Sequence, residues 1–250
     1  MRRVALLLFL CGSVSAQTFV DGDSIHDTDG NATVPALTTS SGDVTVAMCT
    51  HNAADVYTTA PADMTQLDEQ TFATGNTQRW AVWARVDDAT PDALTFGHSG
   101  TCDDISCAAI AYSGVHADIY DVTYAFATHY VGGSANVLDL DPAAITTATN
   151  GAEVCVLEGV SEGLSGAYGA SSGYTARASI GGSAEANNGG VFIFCKNVAT
   201  AGAEDPGSTG HTDDGVGADP ETWGITIAFK PAGSQALPPL TVNQARRRKL

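Results

Sequence analysis

Positive charge is what this 250-residue chain has least of. It holds 11 Lys and Arg against 28 Asp and Glu, and charged residues make up only 16% of the whole, against about 25% in an ordinary soluble domain. The acidity therefore reflects missing bases, not blocks of acid. Six of the bases sit at the two ends, Arg2 and Arg3 at one and Arg246, Arg247, Arg248 and Lys249 at the other. Arg79, Arg85, Arg177, Lys196 and Lys230 are left to face all the acids. Such a body repels nucleic acid, whose binding rests on neutralising phosphates. Long apolar runs are also missing: nothing after residue 16 approaches the 18 residues or so of a spanning helix. No 12-residue window after residue 16 carries an apolar stripe of helical period. No Cys or His pair has zinc-ligand spacing. With 44% hydrophobic residues the chain still has enough apolar side chains for a core, so wholesale disorder is excluded.

What is present is period-2 alternation. Asp43 to Thr50 puts Val44, Val46 and Met48 on one face, and Arg79 to Val86 sets Trp80, Val82 and Ala84 against Ala81, Trp83 and Arg85. Further strands are expected at Leu94–Gly97, Ile105–Tyr112, Ile119–Thr128, Ala152–Leu157, Tyr174–Ile180, Val191–Lys196 and Thr222–Lys230, separated by Gly-rich turns. Many short strands without helices predict an all-β antiparallel sandwich of jelly-roll type in a single domain over residues 33–232. Strands apolar on both faces, Ile105–Tyr112 and Val191–Cys195, are expected at the centre of covered sheets or against another subunit. No internal repeat is visible in the letters.

The flanks read differently. Residues 1–16 combine Arg2-Arg3, the apolar run Val4–Cys11 and small residues ending at Ala16, the pattern of a secretory leader cleaved before Gln17. The competing reading is a retained apolar segment that packs on a partner. Residues 17–32 read as an acidic loop. Residues 233–250 read as a Pro-containing linker, with Pro238-Pro239, and a basic tail at Arg246, Arg247, Arg248 and Lys249 suited to docking on an acidic neighbour.

Chemistry is sparse. Cys102 and Cys107 are spaced to close a small disulfide loop in an exported protein, while Cys49, Cys155 and Cys195 sit inside apolar strands as small buried hydrophobes. A Cys155–Cys195 bridge is a further option that sequence leaves open. Asp27 and Asp29 before Gly30, and Asp213 and Asp214 before Gly215, resemble fragments of calcium loops, but the closing bidentate Glu is missing after the first pair. Trp80 and Trp83, three apart on one strand, point to opposite faces, so one is expected in the core and the other as an exposed platform for a glycan or a partner. Gly169-Ala170-Ser171-Ser172-Gly173 matches a nucleophile-elbow pattern without the strand and helix it needs. No catalytic residues emerge.

Four segments together carry a resemblance: Gly42-Asp43-Val44, Arg79-Trp80-Ala81-Val82-Trp83-Ala84-Arg85, Ile110-Ala111-Tyr112-Ser113-Gly114-Val115 and Trp223-Gly224-Ile225-Thr226-Ile227-Ala228-Phe229. Over about residues 33–232 the chain resembles a loose group of jelly-roll-like β-sandwich proteins encoded by tailed bacteriophages and some bacteria. The resemblance implies a non-enzymatic, oligomeric virion module, a head decoration or a tail or fibre surface. It would work by protein–protein assembly and contact with the host surface, and no catalytic residue comes with it. The leader-like segment supports a second expectation, an exported, lectin-like or Ca²⁺-dependent cell-surface binding module. A secreted hydrolase is a third.

Overall fold

The structure, a computed structural model, describes residues 16–28, 30–51, 56–72, 78–88, 90–99, 105–130, 137–160, 170–181, 189–212 and 221–233. Strands account for all the regular structure among them. In the N-terminal half these are β1 (Thr18–Asp27), β2 (Asn31–Val34), β3 (Val44–His51), β4 (Tyr57–Thr59), β5 (Thr65–Phe72), β6 (Gln78–Val86), β7 (Leu94–His98) and β8 (Ile105–Ser113). The C-terminal half adds β9 (Val115–Tyr120), β10 (Ala125–Tyr130), β11 (Val137–Leu140), β12 (Ile145–Thr146), β13 (Ala152–Val160), β14 (Thr175–Ile180), β15 (Gly190–Val198), β16 (Ala203–Glu204), β17 (Thr209–Thr212) and β18 (Glu221–Pro231).

Two antiparallel sheets form the body. One has the order β1-β8-β3-β6-β5, the other β10-β18-β13-β15-β14 with β9 also on β18. Their inner faces meet in a core of Val46, Met48, Trp80, Ile110, Leu157, Ile193, Trp223 and Phe229. The outer face of the first sheet is covered by the small sheet β2-β7-β4. There Ala47, Ala81 and Ala109 leave room for Leu94 and Phe96 to approach Trp83. Val154, Val156, Phe192 and Phe194 on the outer face of the second sheet pack with Ile145, Tyr174 and Val198. Coverage on both sides is why β8 and β15 read as continuous apolar runs. Among the described residues no helix is long and apolar enough to cross a membrane.

Several expectations need correction. Most of the expected acidic loop, residues 17–32, is strand. β1 pairs with β8 from Thr18↔Ser113 to Asp27↔Ile105. Its carboxylates disguise the alternation because β1 is an edge strand, where charge is tolerated and blocks further pairing. The strand expected over Ile119–Thr128 is two, β9 and β10. Ile119 adopts a positive φ of 52° just before the break, and within it Asp121 Oδ2 accepts from the backbone N–H of Thr149 at 3.0 Å.

Cys107 is bonded to Cys49, not to Cys102. The register places Cys49 directly opposite Cys107 on neighbouring strands, so the sulfurs meet across the ladder. Cys155 and Cys195 are likewise opposite and bonded. Cys49, Cys155 and Cys195 are therefore half-cystines and not free hydrophobes, and Cys102 lies outside the described residues.

Trp83 is no platform. Both tryptophans are fully packed, Trp80 between the two sheets and Trp83 under the small one, because both faces of β6 are covered. The sheets also share one connectivity, a regularity that the letters hide.

Candidate functional site

Polar clusters interrupt the apolar packing at several places among the described residues. The first surrounds Arg85, carried on the outward face of β6 near the turn that ends in Gly42. Its side chain is only 5% exposed and its three nitrogens are all engaged: Nε donates to Asp87 at 2.7 Å, Nη1 to Asp63 at 2.8 Å and Nη2 to Asp92 at 2.7 Å. Thr45 Oγ1 donates to the second oxygen of Asp87 at 2.6 Å. Burial pushes the Asp87 carboxyl above the usual range, against the pull of Thr45 and Arg85. Asp63 and Asp92 are half exposed and, with Ala62, Asp88 and Thr90, line an open cleft of about 360 Å³. The cleft offers carboxylates and one hydroxyl beside a guanidinium each of whose nitrogens already donates to a carboxylate. It can attract cationic groups.

The second cluster lies between the sheets. Tyr112 Oη donates to Glu153 Oε1 at 2.8 Å, Arg177 Nη2 stands 3.9 Å from the same oxygen, and the Arg177 guanidinium lies over the Phe19 ring at 4.7 Å. Glu153 is buried. That burial raises its carboxyl above the usual range, with Tyr112, Asn197 and Arg177 pulling the other way. Tyr112 is raised as well, first by burial and then by Glu153.

A folded-state value raised above the unfolded one gives stability that is complete at low pH and lost as pH rises through the folded value. Glu153→Gln keeps an acceptor for Tyr112 and removes the desolvated charge. The variant is expected to be more stable than the parent near neutral pH, because the raised carboxyl loses stability on ionising. Its unfolding free energy should also lose the decline that starts near the ordinary glutamate range. Urea titrations at several pH values measure both, and an unchanged pH profile would contradict the assignment.

The third cluster is at the other end of the strands. His51 stacks on His98 at 4.8 Å, with Tyr57 edge-on to His51 at 4.7 Å and to Trp83 at 5.0 Å. Nearby, Arg79 Nε is paired with Glu69. His26 Nδ1 contacts Ser106 Oγ at 3.0 Å, and that hydroxyl donates to the Gly189 carbonyl at 2.6 Å. Ser106 is thus a buried bridge between the sheets, not an activated nucleophile.

Asp27 ends β1, while Asp29, Asp213 and Asp214 lie outside the described residues, as do Arg246, Arg247, Arg248 and Lys249. Among the described residues no three His, Cys, Asp or Glu side chains converge to hold a metal. Ser171 lies in the turn that opens β14, and its hydroxyl donates to Gly207 O at 3.3 Å. A strand, not a helix, follows it, so the elbow pattern is a coincidence of composition.

Sequence reasoning missed the Arg85 cluster. Asp87 and Asp88 adjoin Arg85 in the sequence, but Asp63 and Asp92 reach it only through the fold. It missed Glu153–Tyr112 for the same reason. Comparisons with protein-family models, with curated proteins and with solved structures find no match to this chain.

Proposed function

We propose that this protein is a non-enzymatic structural module of the exterior of a tailed-phage particle, a head decoration or a tail or fibre surface. It works through protein–protein assembly and contact with the host surface, on a sandwich of the jelly-roll-like kind its motifs resemble. The observation that carries the reading is where the two ends of the described body lie. Ala232 N donates to Gly114 O at 2.7 Å, and a side chain at Gly114 would come within 2.9 Å of Ala16 O. Both ends of the body therefore leave from one pole, beside the β8–β9 junction. A body held there, as a homo-oligomer or on other virion proteins, presents its opposite pole outward. The buried polar groups support this use: Arg85, Glu153 and Ser106 are committed to internal partners, as expected of a scaffold.

The second reading, an exported cell-surface or secreted binding module, is favoured by the two disulfides, which persist in oxidising surroundings. A displayed virion surface meets the same condition.

Mass spectrometry of purified particles tests the proposal. The chain is expected in stoichiometric amount with Met1–Ala16 present. Particles without it would sink the virion reading, and a soluble chain beginning at Gln17 would support export instead.

A further inference from the structure

We infer that residues 18–113 and 115–231 are two diverged copies of one five-stranded unit, and that the protein is the fused form of a two-fold dimer. The first sheet, β1-β8-β3-β6-β5, takes its strands in the order first, last, second, fourth, third. The second, with β9 and β10 counted as one interrupted strand, repeats that order as β10-β18-β13-β15-β14.

The match extends to single residues. Val46 pairs with Ile110 on one side and Ala84 on the other, and Cys155 pairs with Ile227 and Cys195. In this register Ile110-Ala111-Tyr112 falls on Ile227-Ala228-Phe229, and Arg85 falls on Lys196. Each copy opens its second strand with a left-handed glycine, Gly42 at φ 89° and Gly151 at φ 80°. Gly42 N donates to Asp87 O and Gly151 N to Val198 O, both at 2.8 Å. Each third strand follows a turn closed at 3.0 Å, Met64 N to Pro61 O and Tyr174 N to Ser171 O. Each then bulges at the same step, at Leu67 and at Arg177. Asp21 Oδ2 accepts from Thr38 N, and Asp121, its counterpart, from Thr149 N. A shared sandwich architecture requires none of these turns, bulges and aspartates to coincide.

The copies have diverged in a complementary way. Trp80, Trp223 and Phe126 stack on one side of the approximate axis. Their counterparts by register are Val191, Ser106 and Ser24. Glu153, Tyr112 and Arg177 meet on one side, and Val44, Phe229 and Leu67 take the equivalent places. Each copy thereby fits its partner better than a copy of itself, as expected once a symmetric pair has been fused and relieved of self-recognition.

If the junction at Gly114 is only the join between two units, their order is interchangeable. The test is a circular permutant that keeps every residue: Leu250 is joined to Met1, and new ends are opened between Gly114 and Val115. The connection then formed from residues 234–250 and 1–15 has ample reach, since both ends of the body lie beside Gly114. The expected product has Cys49–Cys107 and Cys155–Cys195 bonded by peptide mapping and melts cooperatively within about 6 °C of the parent, roughly 2 kcal/mol for a chain this size. Recovery of neither bridge, or loss of the cooperative melt, overturns the interchangeability. An experimental structure of the parent chain tests the duplication separately. The matched strands of the two units should superpose to better than the ~4.8 Å between neighbouring strands, and a mismatch of one strand or one register step would overturn it.

Discussion

Chemical reduction of the folded protein is expected to remove most of its stability. Cys49 and Cys107 are 58 residues apart and Cys155 and Cys195 are 40 apart. On the chain-entropy account, loops of these lengths are each worth about 4 kcal/mol against the open unfolded chain. Together they rival the whole 5–15 kcal/mol by which a typical domain is stable. A urea titration with and without reductant should move the midpoint steeply, and reduced protein should be largely unfolded at body temperature. Single-residue changes identify the pairing. Cys49→Ala and Cys107→Ala should each cost about the same 4 kcal/mol, whereas Cys102→Ser should leave the midpoint in place. A large loss from Cys102→Ser with none from Cys49→Ala would restore the short loop that the spacing in the sequence had favoured.

Gly159→Ala is expected to be nearly as damaging, although it adds a single methyl group. A Cβ at this position would come within 2.6 Å of Trp223 Cζ2. Trp223 has nowhere to retreat, because it is fully buried and stacked at 6.4 Å on Trp80, which is itself stacked at 5.1 Å on Phe126. The expected loss is about 3 kcal/mol, the upper end for overpacking a well-filled core. Trp223→Ala should cost about 3–5 kcal/mol by leaving a cavity. The two should not add: Gly159→Ala combined with Trp223→Ala relieves the clash, so the double variant should be more stable than the sum of the singles predicts. Thermal melts of the four proteins measure the coupling, and simple additivity would mean that the ring does not rest on the glycine.

The elements that read correctly from the sequence are those whose burial has a simple period. In β3, Val44, Val46 and Met48 mark one face, and the two-faced apolar runs of β8 and β15 mark covered sheets. β1 was hidden because the free edge of a sheet admits Asp21 and Asp23. The break between β9 and β10 was hidden because it is marked by Asp121 capturing backbone donors far along the chain. The Arg85 cluster was legible only in part. Asp87 is two residues away, but Asp63 and Asp92 arrive from separate turns, and no local pattern announces a contact of that kind. The Cys155–Cys195 bridge that the sequence left open is present, but the pairing of Cys107 failed for a related reason. Loop length favoured the nearest partner, while the ladder register put Cys49, far away in sequence, opposite Cys107.

By itself the sequence determined an all-β, acidic body with six of the eleven basic residues at the two ends of the chain, because alternation and charge are properties of composition and neighbouring residues. Tertiary structure alone decided which cysteines join, which tryptophans are buried and where the ends leave the body. It alone exposed the two matching units, because pairing register relates residues about a hundred positions apart. The two copies keep few identical letters, but hydrogen-bond geometry holds their turns, bulges and strand order in common.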